Sequence, residues 1–472
     1  MKINDYKVEK ELVFIILVCL VLYFQNAWVP GFFHDGYLYT AFGKNAAELN
    51  HWLIPFLSKT EYPRFDQHPP FYFILEGLWF KVFPFSWTSA RVFASSFILG
   101  FIIFFYNSVK ELINKKTALY SSVAFLLFPS VMKKARFPNL DIPLMVLMGV
   151  AVISLILILK KRDSFRYWAA LSIASGLALL IKGAAALIIL SVITAILVAT
   201  KEGRNYLTSY KPYLALLITL MLFSLWPLAL YLQGEEVIFL TYLKSQVFKT
   251  VVDGREAIES DYFLYFKHLA KTSIVWIILA AWKGKSFLKR EPLVATTVIL
   301  WFVIPFVCLS LMTWKYSNYI LPLYPPIAIL TGFALSQLSK KVSERLERGF
   351  SALFLIFALL ILIFPLTNKA RRHTETFELL RRIERKSIKP RNLFVIDDSH
   401  EYYSTASLFS IYRLGNPLRK SSQFFANSTQ DWRNDLILVP RSLDPKSLRS
   451  DLRYELIFDS LKKNFKAYWV IP

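Results

Sequence analysis

Apolar residues in this chain come in long blocks, not in alternation. Eleven stretches are apolar enough to read as membrane-crossing helices: 11–30, 89–109, 117–132, 140–159, 167–182, 183–200, 212–232, 263–282, 293–313, 318–338 and 350–366. Crossing the hydrocarbon core takes roughly 20 mostly apolar residues. Inside lipid, backbone groups find partners only within the protein, which selects helices. The short alternating segments of a membrane barrel are absent from the sequence. The first block, LVFIILVCLVLYFQNAWV (12–29), is too long for a signal-peptide core and lacks a small-residue cleavage site, so it is read as a span. After residue 366 the pattern changes. NLFVID (392–397), LILVP (436–440) and KAYWVIP (466–472) read as strands, and TFELLRRIERK (376–386) and the region of LFSIYRL (408–414) as helices. The prediction is an all-α polytopic bundle over 1–366, with juxtamembrane helices, followed by a small α/β domain over 367–472, about a hundred residues long.

Composition agrees with this class. Of 472 residues, 55% are hydrophobic and 16% aromatic, too apolar for a soluble chain of this length. The net charge of +23 could signal nucleic-acid binding, but the cations are scattered over loops and no nucleic-acid motif accompanies them. Their placement is topological instead. Counted from an inside N-terminus, alternate connections carry basic clusters at 110–116, 160–166, 201–211, 283–290 and 340–348. The opposite set includes the long segments 31–88 and 233–262, where basic residues are sparse. The positive-inside rule then makes the N-terminus cytoplasmic and, with an odd number of spans, the C-terminal domain extracytoplasmic. The expected location is a multi-pass plasma (inner) membrane. Lys133, Lys134 and Arg136, in a short connection counted as outside, depart from the rule. Cys19 and Cys308 lie within spans, so no disulfide framework or thiol metal site is expected. Asn427-Ser428-Thr429 fits a glycosylation sequon that chance often produces.

Two long loops and a domain on one face are more than a transporter or channel usually carries there, and they direct attention to the charged residues at that face. Asp35 follows the first span in FFHDGYLYT (32–40). His68 stands before a rigid Pro69-Pro70 turn in an aromatic loop suited to the interface, either as a turn residue or as a site residue. Arg91 opens the second span. Asp141 opens the fourth, between Pro138 and Pro143; it could cap that helix, neutralise Arg136, or serve function, as ionisable residues within spans usually do. Lys182-Gly183 interrupts an apolar stretch and reads as a tight outer turn between antiparallel helices, with Lys182 either snorkelling or in the site. Lys315 precedes a helix start opened by Pro322, Pro325 and Pro326, a combination that suits an anion. Carboxylates to activate a nucleophile, cations to hold a departing phosphate and an apolar bundle for a lipid tail together fit a lipid-phosphate-linked donor.

These elements, in this order, resemble the polyprenyl-phosphate-sugar-dependent glycosyltransferases of the GT-C superfamily, near the protein O-mannosyltransferases and the lipid A aminoarabinose transferases. The matching residues are Asp35, His68-Pro69-Pro70, Arg91, Asp141, Lys182-Gly183, and the Lys-x-x-x-Tyr-x-x-Pro-x-x-Pro pattern of Lys315, Tyr319, Pro322 and Pro325. The resemblance covers about residues 10–335. It implies a GT-C helical bundle, a polyprenyl-phosphate sugar donor, a lipid, glycan or protein acceptor, and inversion at the anomeric carbon. It further implies Asp35 as the base, Lys315, Arg91 and Lys182 on the donor phosphate, and Asp141, His68 and Tyr319 shaping the site. Two departures bear on cofactors. Asp35 is followed by Gly36 where family members often have Glu, and 240–266 lacks a histidine that some members carry, so no metal site is carried over. A lipid or small-molecule transporter or flippase is the alternative; it leaves the aromatic loops and the C-terminal domain unexplained, and the inverted repeats it should show are not found.

Overall fold

The computed structural model of the chain describes residues 9–160, 162–248, 261–312, 315–363, 374–396, 402–460 and 465–471. They form two compact units: Met1–Ala27, Gln67–Tyr72 and Arg91–Leu366 in one, and Trp28–Asp66, Phe73–Ala90 and Thr367–Pro472 in the other. In chain order the first helices are α1 (Lys10–Phe24), α2 (His34–Leu49), α3 (Phe71–Val82), α4 (Trp87–Leu112), α5 (Lys115–Leu126), α6 (Pro129–Lys134), α7 (Asp141–Leu159), α8 (Phe165–Lys182), α9 (Leu187–Ala199), α10 (Lys201–Leu207), α11 (Lys211–Leu232) and α12 (Glu236–Tyr242).

The first unit is helical. Seven stretches in the described residues are long and apolar enough to cross a membrane: Trp87–Leu112, Asp141–Leu159, Phe165–Ala199, Lys211–Leu232, Leu264–Trp282, Pro292–Leu311 and Ser317–Ser336. Two of the eleven expected spans, 167–182 and 183–200, fall together in Phe165–Ala199, which breaks into a short 3-10 turn at Gly183–Ala186. The expected spans at 11–30 and 117–132 correspond to shorter helices, α1 and α5, of 15 and 12 residues. The last expected span overlaps the Lys340–Ile363 helix, and its residues 364–366 lie outside the described residues. The deepest element is α7, almost all of which is buried, with α8 packed along it and α11 along α8. The Tyr324–Ser336 helix lies so close to α5 that a Cβ on Gly332 would sit 2.1 Å from Ser121 Oγ, so only glycine permits this approach. Chain breaks obey local chemistry: Asn114 caps α5 by accepting the Thr117 N–H at 2.8 Å.

The second unit pairs helices α2 and α3 with a five-stranded sheet. Its strands are β1 (Asn392–Ile396), β2 (Asn416–Lys420), β3 (Leu436–Pro440), β4 (Tyr454–Ser460) and β5 (Phe465–Val470), in the order β2-β1-β3-β5-β4. The β1 strand pairs parallel with β2 and β3, while β5 is antiparallel to β3 and β4. Three strands stand where the sequence predicts them; β2 and β4 are additional, NPLRK lacking an apolar run and YELIFDS carrying one of only three residues, Leu456-Ile457-Phe458. Of the expected strand ends, Asp397 and Pro472 lie outside the described residues. Trp432 anchors the core, its ring 3.9 Å from Phe394 and 4.3 Å from Phe425. The Tyr402–Ile411 helix is clamped onto α2. Lys44 Nζ donates to the Ile411 carbonyl at 2.7 Å, and Arg413 donates to Asn45 Oδ1 at 2.6 Å and to Glu48 Oε2 at 2.9 Å. Helix α3 packs on α2 through Glu76, which is fully buried and accepts the Thr40 hydroxyl at 3.1 Å. Burial pushes the Glu76 carboxyl up to about 8, the Thr40 hydrogen bond opposing the shift only in part.

Candidate active site

The first unit contains a cavity of about 370 Å³, within the usual range of small-molecule sites. Most of its lining is apolar, including Leu144 and Met148 of α7, Leu187 and Ile188 of α9, and Leu309 and Met312 at the end of the Pro292–Leu311 helix. Polar residues on the lining include His68, Asp141, Lys182, Tyr319, Tyr242, Gln67, Gln246 and Asn318.

Asp141 is positioned by the loop before it. Asn139 Oδ1 accepts the Ile142 N–H at 2.8 Å, while its amide group donates to the Phe137 and Lys134 carbonyls at 2.6 and 2.9 Å. Asn139 therefore performs the capping that a residue in the first turn of α7 could otherwise be needed for. Arg136 is buried and donates to the Gln25 carbonyl at 3.2 Å. The carboxylate of Asp141 instead forms an ion pair with Lys182, the two side chains being only 14% and 8% exposed. Lys182 Nζ also lies 4.6 Å from the Tyr319 ring centroid, a cation–π contact.

Lys182 reaches this position because α8 ends on it. Gly183 follows with φ +53°, a positive value that glycine adopts without strain. The Tyr242 hydroxyl caps the turn, accepting the Ala184 N–H at 2.8 Å. Tyr242 is itself held by aromatic packing, its ring 5.2 Å from that of Trp226 and 6.2 Å from that of Phe239. A single π-helical turn, Leu243–Phe248, follows and carries Gln246 to the cavity; such turns are frequent at functional sites.

Four sequence candidates, His68, Asp141, Lys182 and Tyr319, thus surround one cavity. Arg91 and Lys315 belong to the same unit but not to that lining. Both are buried cations: the Arg91 guanidinium lies 4.6 Å from the Phe137 ring and Lys315 Nζ 4.8 Å from the Tyr262 ring. Asp35 belongs to the second unit, exposed in the first turn of α2. Sequence reading missed Gln67, Tyr242, Gln246 and Asn318. Gln67 and Asn318 adjoin His68 and Tyr319, so inspection of motif neighbours would have found them. Nothing local marks Tyr242 or Gln246, and residues 249–260 of the expected second loop lie outside the described residues. Among the described residues, no group of three or more His, Cys, Asp or Glu is gathered to hold a metal.

The described residues thus form a many-helix bundle of membrane type, with a mostly apolar cavity that holds the Asp141–Lys182 ion pair. Known proteins narrow this class. Residues 67–227 match the family described as dolichyl-phosphate-mannose-protein mannosyltransferase. An undecaprenyl phosphate-alpha-4-amino-4-deoxy-L-arabinose arabinosyl transferase from Pectobacterium atrosepticum is 25% identical over 353 residues, 73% of this chain and 61% of the relative. An uncharacterized protein of Aquifex aeolicus is 26% identical over 366 residues, 75% of this chain and 69% of the relative. The structure of ArnT from Cupriavidus metallidurans bound to undecaprenyl phosphate has the same fold, with a TM-score of 0.71 at 15% identity over 97% of both chains. The archaeal oligosaccharyltransferase AglB from Archaeoglobus fulgidus is more distant, with a TM-score of 0.57 at 13% identity over 97% of this chain and 73% of that one. These matches make the chain similar to the GT-C polyprenyl-phosphate-sugar glycosyltransferases that its sequence motifs resemble, and it shares their fold. It is a multi-pass membrane protein. The match to the arabinosyl transferase spans about three-fifths of that protein's length.

Proposed function

We propose that this protein transfers a sugar from a polyprenyl-phosphate donor to a hydroxyl or phosphate of a lipid A, glycan or protein acceptor at the extracytoplasmic face of the plasma membrane. The observation that carries the reading is the cavity itself, where a buried lysine paired with a partly buried carboxylate lines a mostly apolar space. An isoprenoid phosphate needs both surfaces at once. Lys182 is the cation for the donor phosphate, and Asp141 holds its ammonium in place. Arg91 and Lys315 add buried positive charge within the same unit. His68 and Tyr319 shape the site. Asp35 is the base that removes the proton from the acceptor oxygen, a role supported by its exposed position just after the first span. The acceptor oxygen bonds to the anomeric carbon as the sugar–phosphate C–O bond breaks, with inversion, and the electron pair leaves on the phosphate, where positive charge stabilises it.

The reading includes a topology of eleven crossings, a cytoplasmic N-terminus, and a division at residue 366 between the transmembrane domain and an extracytoplasmic C-terminal domain. The test is a transfer assay in proteoliposomes. Polyprenyl-phosphate sugars made from radiolabelled nucleotide sugars are offered, with a panel of acceptors, to the wild type and to Asp35→Asn. Turnover by the wild type and its loss in a folded, inserted Asp35→Asn is the expected result. Near-normal transfer by Asp35→Asn would remove the base assignment, and no transfer from any donor would turn the reading toward transport.

A further inference from the structure

The polar lining of the cavity has a chemical character of its own. Three of its members, Gln67, Gln246 and Asn318, carry side-chain amides, each able to donate and to accept. Tyr242, Tyr319 and Ser191 add hydroxyls. Sugar hydroxyls also donate and accept, so amides and hydroxyls are their natural complement. The charged members are arranged differently. Asp141 is the one carboxylate on the described lining, and Lys182 already neutralises it. An ammonium entering the cavity would compete with Lys182 for that carboxylate. It would also stand close to the Lys182 charge, at a depth where like charges are weakly screened.

Resting on the donor reading above, we infer that the sugar moiety is uncharged and hydroxyl-rich, read by the amides of Gln246 and Asn318, rather than a cationic amino sugar like the one in the names of the arabinosyl transferase relatives. The cavity tells the two apart by charge and by hydrogen-bond complementarity, because a site built to bond a hydroxyl disfavours the analogue that replaces it.

The test is direct binding to the full-length protein in nanodiscs, by native mass spectrometry at pH 7. Three probes share one lipid: undecaprenyl phosphate alone, undecaprenyl-phosphate L-arabinose, and undecaprenyl-phosphate 4-amino-4-deoxy-L-arabinose. The two sugars differ only in the group at one carbon. The hydroxyl sugar is expected to bind about tenfold more tightly than the amino sugar, the size of one well-made polar contact. Gln246→Ala and Asn318→Ala should bring the two together while leaving undecaprenyl phosphate binding unchanged. Equal or tighter binding of the amino sugar overturns the inference and leaves the donor reading intact. A preference that survives both substitutions overturns the assignment to these amides. Failure of all three probes to bind overturns the donor reading, and the inference with it.

Discussion

Replacing Gly183 with alanine probes the turn on which Lys182 is aimed. Gly183 has φ +53° and ψ −126°, the mirror image of extended backbone. Holding alanine there costs about 1–3 kcal/mol. The added Cβ would stand 1.7 Å from Tyr242 Oη and 2.7 Å from its Cζ. Tyr242 has little freedom to move away, being 2% exposed and wedged against Trp226. Overpacking at such a site costs about 1–3 kcal/mol. Moving the hydroxyl also strands the Ala184 N–H, a further loss of about 1 kcal/mol or more. The single variant should therefore lose roughly 3–7 kcal/mol, a large part of the 5–15 kcal/mol that stabilises a typical protein. Tyr242→Ala removes the obstacle but not the backbone strain. In that background Gly183→Ala should cost only about 1–3 kcal/mol, a coupling of about 2–4 kcal/mol between the two positions. The assay is equilibrium unfolding of the wild type, both single variants and the double variant in detergent micelles titrated with SDS. Donor turnover is measured alongside, and Gly183→Ala should lose it because Lys182 is re-aimed. A coupling within about 0.5 kcal/mol of zero would refute the argument that Tyr242 and Gly183 jointly set the turn.

Three other perturbations have definite outcomes. Asp141→Asn leaves Lys182 buried without its counter-charge and should cost about 3 kcal/mol and most of the activity; adding Lys182→Met should restore stability in the same unfolding assay but not turnover. Glu76 is raised by burial from 4.5 to about 8, so its stabilising contribution is full below about pH 4.5 and declines as pH rises toward 8. The neutral Glu76→Gln should gain on the wild type by several kcal/mol across that window, and parallel pH–stability curves would show that the carboxyl titrates normally. Arg413→Ala removes the bonds to Asn45 and Glu48, and should speed hydrogen exchange in α2 and in the Tyr402–Ile411 helix together; unchanged exchange would mean the clamp is held by packing alone.

The long apolar blocks were legible in the sequence because lipid imposes a length and a composition on every crossing segment, and local rules alone decide both. The charged residues at block ends were legible for the same reason: Asp141 and Lys182 are conspicuous because ionisable groups are costly in apolar surroundings. The sheet was half legible. The β1, β3 and β5 strands carry apolar runs, but the edge strands do not stand out: β2 is polar and the apolar run of β4 is three residues long, so cross-strand partners rather than composition specify them.

Tertiary structure decided the rest. Asp141 and Lys182 are 41 residues apart, and their pairing depends on α7 packing along α8. That Asn139 caps α7, freeing Asp141, is a matter of loop conformation that several residue choices would allow in sequence. Tyr242 is one of 24 tyrosines, and only the fold brings its hydroxyl to Ala184 and its ring against Trp226. The gathering of residues 28–66 and 73–90 with the C-terminal segment was likewise invisible in the chain, because Arg413, Lys44 and Glu48 look like any surface charges until they are paired. Sequence encodes what each segment must avoid, through the cost of burying or exposing its own groups. Which segments meet depends on shape complementarity among many side chains at once, and no single stretch of sequence contains it.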